Sequence, residues 1–302
     1  MTGSAGAHRP RRRPLVKRLA LGALFAASLF YLLAPPAWMV ISSLSPDREL
    51  LVRPPHWIPS QITTVHYRTL FQLRGADARE AEQNPQIRAF TRSFLNSLTL
   101  ASVTVAICLV FGSVSAYSLT RFVRPGRRHV ILFCLLGTRM LPVIAVLIPI
   151  YMGLQRVGLL DTLSGLILAD AGLLLPFVIW ILEGFYRTFP VELEEAAAID
   201  GCSPTRIFTR IVLPLSSNSL FAAGTFVFIA AWSDFIVALV LTATERAWPL
   251  SVVLAQSLNA ITNPSWGLMN SAGLMTAVVP ALLAVIFRGA VMRGLLGGAV
   301  KG

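Results

Sequence analysis

The stretch that decides the fold is Glu195-Ala196-Ala197-Ala198-Ile199-Asp200-Gly201, followed after nine residues by Ile211-Val212-Leu213-Pro214. It is a polar segment between two apolar runs. Pro190 suits the first position of a short helix, and the acidic residues behind it complement the positive N-terminal end of that helix. Gly201 favours the left-handed turn that ends such a helix.

A second helix is predicted to begin at Ser203-Pro204, because apolar residues follow it at helical spacing through Ile211 and Val212. We expect Pro214 to stop this pattern just before the next apolar run. Residues 187–215 therefore predict a two-helix hairpin, called the knob below. Its small alanine surface would let another protein's groove approach the backbone, with Glu195 and Asp200 as charges to pair. An ordinary amphipathic surface hairpin is the plainer interpretation.

The composition places the rest of the chain in a bilayer. Of its 302 residues 55% are hydrophobic and 13% are charged, and the mean hydropathy is +0.68. Apolar runs long enough to cross about 30 Å of hydrocarbon predict six spanning helices in an all-α fold. They lie at 19–43, 93–120, 130–153, 163–186, 216–242 and 267–287. The first run could instead be a secretory signal, but Ala34-Pro35-Pro36-Ala37 is a poor cleavage site.

The net charge of +12 comes from basic clusters beside the apolar runs, which argues against nucleic acid as a partner. Three segments carry basic and no acidic residues: 1–18, 121–129 and 288–302. By the positive-inside rule, both termini and the 121–129 loop are cytoplasmic, and the knob lies on the same side. We therefore expect a multi-pass protein of the bacterial cytoplasmic membrane.

The predicted organisation has five parts. A basic cytoplasmic tail (1–18) precedes the first span (19–43), a long extracytoplasmic loop (44–92), a five-helix core with the knob (93–290) and a cytoplasmic tail (291–302). Trp57, Tyr67 and Phe71 suggest that the long loop is partly packed. The apolar stretch 249–254 is too short to cross and predicts an interfacial or partner-facing helix.

Catalytic chemistry is not indicated. The three cysteines and four histidines are scattered, so no metal site or nucleophile–histidine pair can be argued. The two lysines, Lys17 and Lys301, are followed by Arg18 and Gly302, which rules out the Gly-Lys-Ser/Thr core of a phosphate-binding loop. We predict that the chain is not an enzyme, and that any ATP and Mg²⁺ bind a partner.

The knob resembles the EAA loop of ABC importer permeases, the element that docks into the ATPase subunit. Two further segments are similar to the smaller permease of maltose-type carbohydrate importers. Trp232-Ser233-Asp234 stands where those permeases carry Trp-Asn-Asp or Trp-Asn-Glu, with Ser233 replacing the usual Asn. The Gly-rich end, residues 293–302, resembles a tail that reaches between two ATPase subunits in that family.

The resemblance implies a sugar permease that works by alternating access. Its implied partners are a second, larger maltose-type permease, an ABC ATPase dimer, an external sugar-binding protein, the sugar and membrane lipid. It assigns ATPase coupling to Glu195, Ala196, Ala197, Asp200, Gly201, Ile211, Leu213 and Pro214, and a tail contact to Gly298, Val300 and Lys301. Importers of a polyol, glycerol phosphate or an oligopeptide stay open, as do an ion-coupled secondary transporter and an intramembrane enzyme.

Charged residues inside the predicted spans are candidates for the transport pathway, because each needs a partner or a wet face. Helix depths make a pair between Arg139 and Asp170 plausible, as a structural clamp or as part of the sugar route. Asp234 with Trp232 suits a sugar chemically, although gating or helix packing is the preferred interpretation. Prolines 35, 36, 142, 149 and 176 are candidate kinks.

Overall fold

A computed structural model describes residues 15–52, 57–72, 85–258 and 265–299. Within these ranges the chain is helical and has no β-strand. The helices are α1 (Leu15–Ser43), α2 (Asp47–Leu50), α3 (Val65–Leu70), α4 (Pro85–Phe122), α5 (Pro125–Gly137), α6 (Val143–Arg156), α7 (Leu163–Thr188), α8 (Val191–Ile199), α9 (Pro204–Ile207), α10 (Ser217–Trp232), α11 (Ile236–Leu241), α12 (Leu250–Leu258) and α13 (Trp266–Ala299). A 3₁₀ turn (Thr138–Met140) extends α5, and a π-helical turn (Phe208–Val212) joins α9 to Leu213–Leu215.

In the described part of the chain, four helices are long and apolar enough to cross a membrane: α1, α4, α7 and α13. Two bent pairs bring the number to six if each pair is one span. Residues 125–140 meet α6 at 94°, and residues 204–215 meet α10 at 75°. The predicted all-α membrane fold is confirmed.

The predicted third span, 130–153, is wrong as one continuous helix. The chain turns by 94° at Leu141-Pro142. Leu141 has extended backbone angles, φ −70° and ψ 135°, as expected for a residue that precedes proline. Pro142 then precedes the first turn of α6.

The predicted fifth span, 216–242, is also interrupted. Helix α10 ends at Trp232, and the Asp234 carboxylate accepts a hydrogen bond from the Ala238 backbone nitrogen at 3.1 Å. A short acidic side chain that binds a nearby backbone N–H favours a new helix start over a continuing helix. This explains why α11 begins afresh at Ile236.

Pro214 does not stop the second helix of the knob, contrary to the prediction. Helical structure continues to Leu215 and bends at Ser216. In the π-helical turn, the Leu213 nitrogen donates to the Phe208 oxygen, five residues back. This wider turn relieves the clash between the Pro214 ring and the preceding carbonyls.

Helix α4 is the centre of the bundle and packs against α7, α10 and α12. It begins at Pro85, so its first turns lie in residues that the sequence assigned to the extracytoplasmic loop. Gly112 permits the close approach of α7: a Cβ atom built there would lie 2.7 Å from Cγ1 of Val178. Small residues at such crossings are typical of helix packing in membranes.

The described part of the 44–92 loop is packed, as predicted, at one end of α1 and α13. The Tyr67 hydroxyl donates to Oγ of Ser43 at 2.7 Å, and Asp47 accepts hydrogen bonds from Ser265 and Gly267. Phe71 packs edge-on against Phe90, and Trp57 against Trp38.

The short helix predicted around 249–254 exists as α12. Its apolar side chains Leu250, Val252 and Val253 are buried within the bundle. They are therefore packed against the chain's own helices and are not free to face a membrane surface or a partner.

Candidate functional site

The knob forms the predicted helix-turn-helix, and its turn has the hydrogen-bond pattern of a Schellman motif. The Gly201 nitrogen donates to the Ala198 oxygen and the Cys202 nitrogen to the Ala197 oxygen, each at 3.0 Å. Gly201 has φ +80°, which confirms the predicted left-handed turn. Pro190 lies one residue earlier than predicted, as the N-cap of α8, and Pro204 opens α9 behind Ser203.

The predicted coupling residues divide between surface and interior. Glu195, Ala196, Asp200, Gly201 and Pro214 are exposed, Ala197 is buried, and Ile211 and Leu213 are partly buried. Neither Glu195 nor Asp200 forms an ion pair with another described residue. Their charges are therefore available to a partner.

Apolar side chains that the sequence interpretation did not assign to docking lie on the same helix. Ile199 is 87% exposed, and Val191 and Leu193 are nearly half exposed. Together with Glu195, Ala196 and Asp200, they give the knob a surface that combines apolar contact area with negative charge. This surface offers a partner both apolar contact area and negative charges to pair.

The buried face of α8 carries an anchor that sequence reasoning missed. Oε1 of Glu194 lies 2.9 Å from Nε and 2.5 Å from Nη2 of Arg121, at the end of α4. The Tyr117 hydroxyl donates to Oε2 of Glu194 at 2.7 Å. Charge-assisted, forked pairs of this kind are the strong hydrogen bonds of proteins.

The second helix of the knob rests on the same place. The ring of Phe208 lies 4.8 Å from the ring of Tyr117, measured between centroids. A second ion pair, Arg128 to Glu183 at 3.2 Å, joins α5 to α7 at this end of the bundle. The knob is therefore attached to the membrane helices through both of its own helices.

The predicted Arg139–Asp170 pair is wrong. Nη1 of Arg139 donates to the Leu173 carbonyl oxygen at 2.8 Å, and its side chain is exposed. Asp170 is buried and has Asp234 and Cys108 as its electrostatic neighbours.

Trp232 and Asp234 hold the helix break together. Trp232 is buried, its indole N–H donates to the Thr276 oxygen at 3.1 Å, and it stacks on Phe228. The backbone oxygen of Asp234 accepts a hydrogen bond from Ser251 at 2.6 Å. This arrangement agrees with the preferred interpretation of helix packing, because the indole face is covered by protein.

The Gly-rich end is helical up to Ala299, so Gly298 belongs to α13. The other two predicted tail contacts, Val300 and Lys301, lie outside the described residues.

The chain is a helical membrane bundle with an anchored two-helix knob, which is the arrangement that the resemblance to transport permeases predicts. The chain belongs to the family of binding-protein-dependent transport system inner membrane components, whose family model matches residues 108–297. It is thus a permease of an ABC importer and not an enzyme.

Two relatives resemble nearly the whole chain. The trehalose transport system permease protein SugB of Mycobacterium tuberculosis is 34% identical over 90% of this chain and 93% of its own. The trehalose/maltose transport system permease protein MalG of Thermococcus litoralis is 29% identical over 96% of this chain and 99% of its own. A chain of a bacterial ABC transporter that imports alginate shares the fold: the TM-score is 0.77 at 20% identity, covering 92% of this chain and 97% of that one.

Proposed function

We propose that this permease imports a sugar, from mono- to oligosaccharide, by alternating access driven by partner ATPase subunits. The observation that carries the proposal is the exposed knob with its buried anchor, on a chain whose relatives include permeases for trehalose and maltose. A partner can bind the exposed face of the knob, and the anchor passes any displacement to the membrane helices.

The knob faces the cytoplasm in this proposal, as do both termini. Glu195 and Asp200 pair with basic residues of the ATPase, while Ala196 and Ile199 make close apolar contact. ATP binding shifts the permease between inward-open and outward-open states only if these contacts differ between the two states. ATP and Mg²⁺ are bound by the ATPase dimer.

Arg139 is the charged residue that best fits the sugar route. It has no acidic partner among the described residues, and it stands beside the break between α5 and α6. A charged side chain within a membrane span requires a water-lined face or a partner in another subunit. In our proposal that face opens toward a second, larger permease of the maltose type, with an external sugar-binding protein delivering the substrate.

The test is transport by the intact complex, purified through a tag on this chain and placed in liposomes. We expect an ABC ATPase and a second permease to co-purify, and a radiolabelled sugar to enter only with ATP and the external binding protein. A panel should include glucose, maltose, trehalose, chitobiose, glycerol and glycerol phosphate. Uptake driven by an ion gradient without an ATPase would overturn the proposal, and uptake of only glycerol or glycerol phosphate would overturn its sugar part.

A further inference from the structure

Two polar joints lie near opposite ends of α4. The knob joint consists of Glu194, Arg121 and Tyr117. The far joint consists of Asn96 and Ser97, which bind residues 246–250. We propose that α4 is a rigid link that couples ATPase docking at the knob to the 242–250 segment at the opposite end of the bundle. The inference rests on the proposed function.

The knob joint is built to transmit force. Arg121 and Glu194 are largely buried, with side-chain exposures of 16% and 9%. Separating such a pair leaves two uncompensated buried charges, so separation has a high free-energy cost. The Arg121 guanidinium also lies 6.0 Å from the centre of the Tyr117 ring. A displacement of α8 therefore moves the end of α4 with it.

The far joint consists of hydrogen bonds from side chains of α4 to the backbone. Nδ2 of Asn96 donates to the carbonyl oxygens of Arg246 and Trp248, both at 3.0 Å. Oγ of Ser97 accepts from the Leu250 nitrogen at 2.7 Å. Because these bonds hold backbone atoms, a shift of α4 moves the whole segment rather than a single side chain.

Between the joints the helix is continuous. Twenty-five residues separate Asn96 from Arg121, which is about 38 Å of helix. Proline occurs inside α1, α6, α7 and α13, but not in the interior of α4. Proline is a principal cause of helix kinks, so α4 is the long helix best suited to move as one body.

The 242–250 segment is placed to receive this movement. Ala243, Thr244 and Arg246 are exposed, and the segment is also fastened to Asp161 in the loop before α7. An external binding protein that contacts the segment would therefore act on the ATPase through α4, and the ATPase on the binding protein, because energetic coupling between two sites is reciprocal.

The experiment uses the full complex in lipid nanodiscs, with the external binding protein and the sugar that the wild type transports. The readout is ATP hydrolysis with binding protein and sugar, divided by hydrolysis without them. Three variants are compared: Arg121→Met, Asn96→Ala and both together. The matched controls, Arg127→Met and Asn218→Ala, each remove an exposed side chain of the same type outside the knob and both joints.

We expect each single variant to lower the stimulation ratio at least about fivefold, the lower end of typical coupling energies. The double variant should be no worse than the worse single, because both changes interrupt one path. The controls should match the wild type. Exchanging the charges, with Arg121→Glu and Glu194→Arg in one chain, should recover part of the ratio.

Yield and co-purified ATPase show whether a variant assembles. If Arg121→Met does not assemble, the stimulation ratios of the charge-exchanged chain and of Asn96→Ala test the link instead. Independent, multiplying losses in the double variant, or wild-type ratios in both singles, would overturn the link. If the wild type itself shows no stimulation by the binding protein, the proposed function fails instead.

Discussion

Gly201 shows how one residue can determine the shape of the knob. Its φ of +80° is strained for any residue with a side chain, yet a Cβ built on it meets no atom within 4 Å. The requirement for glycine is therefore conformational and not steric. Asn, which tolerates the left-handed region, makes an informative comparison with Val, which does not.

We predict that Gly201→Val strains the turn by about 1–2 kcal/mol and reorients α8 against α9. Membrane insertion should be normal, while co-purified ATPase and sugar uptake fall. Gly201→Asn should retain most of both activities. Normal ATPase recovery and uptake with Gly201→Val would remove the turn from the coupling mechanism.

Asp161 is a second residue that holds two segments in place. Its carboxylate accepts from the Ala243 and Thr244 nitrogens at 2.7 and 3.0 Å and from the Thr244 hydroxyl at 2.7 Å. Burial acts to raise the pKa of Asp161, but these hydrogen bonds outweigh it and hold the pKa below its ordinary value. Such a depressed pKa stabilises the folded state above the unfolded pKa, and this contribution disappears as pH falls through the folded pKa.

We predict that Asp161→Asn lowers the free energy of unfolding by about 1 kcal/mol at neutral pH, since one charge-assisted acceptor is lost. The difference from wild type should shrink as the pH drops below about 4, the ordinary aspartate range. Thermal unfolding in detergent at several pH values measures it. A difference that stays constant down to pH 3 would show that the ionised form of Asp161 is not what holds the segment.

The sequence alone did not distinguish the role of Glu194 from that of Glu195. The two are identical and adjacent, and both suit the first turns of α8. Glu194 is buried and pairs with Arg121, whereas Glu195 faces solvent. Successive helical residues point about 100° apart, and only the packing of α8 on α4 decides which of them faces inward.

At the scale of elements, the contact between α4 and α7 depends on Gly112. The nearest atom to a Cβ at this position belongs to Val178, a β-branched side chain with little freedom to turn aside. Any larger residue must therefore widen the helix crossing.

We predict that Gly112→Ala destabilises the bundle by about 1–3 kcal/mol through overpacking. Adding Val178→Ala to the same chain should recover part of the loss. Gly172→Ala is the matched control, because a Cβ there meets nothing within 4 Å. The measurement is thermal unfolding of the detergent-purified complex, and equal stability of the two glycine variants would contradict the close contact.

The hydrophobic pattern of the sequence did not reveal where two of the apolar runs break into separate helices. Apolar runs at 130–153 and 216–242 look continuous in hydropathy, and both are interrupted by backbone chemistry. One break follows the constraint that Pro142 places on Leu141, and the other follows the hydrogen bond of Asp234 to Ala238. Pro142 was a candidate kink in the sequence, but the size of the bend, 94°, could not be read from it, because α6 packs against α11, which is distant in the sequence.

At the scale of the whole molecule, the order and class of the helices followed from length and composition. The knob was placed correctly because its turn signals are local, whereas the Arg139–Asp170 pair failed because it depended on how two helices rotate against each other. The side of the membrane on which the knob lies is a prediction from the basic clusters.

We predict that Asp200→Cys and Ala243→Cys react from opposite sides of the membrane in chains whose native cysteines, Cys108, Cys134 and Cys202, are replaced by Ala. A membrane-impermeant maleimide should label Ala243→Cys in intact cells and Asp200→Cys only after the membrane is opened. Labelling of both in intact cells, or of Asp200→Cys alone, would contradict the proposed orientation.

The length of α4 ties the molecule to the thickness of its membrane. Its 38 residues extend about 57 Å, while the hydrocarbon layer is about 30 Å thick. Both ends therefore project beyond the hydrocarbon layer, with Arg88 and Arg92 exposed at one end and Arg121, largely buried against Glu194, at the other. A thicker bilayer would draw these arginines toward hydrocarbon at a cost of fractions of a kcal/mol per Å and would favour a more upright helix. Lipid chain length thus acts on the tilt of the same helix that carries Glu194's partner.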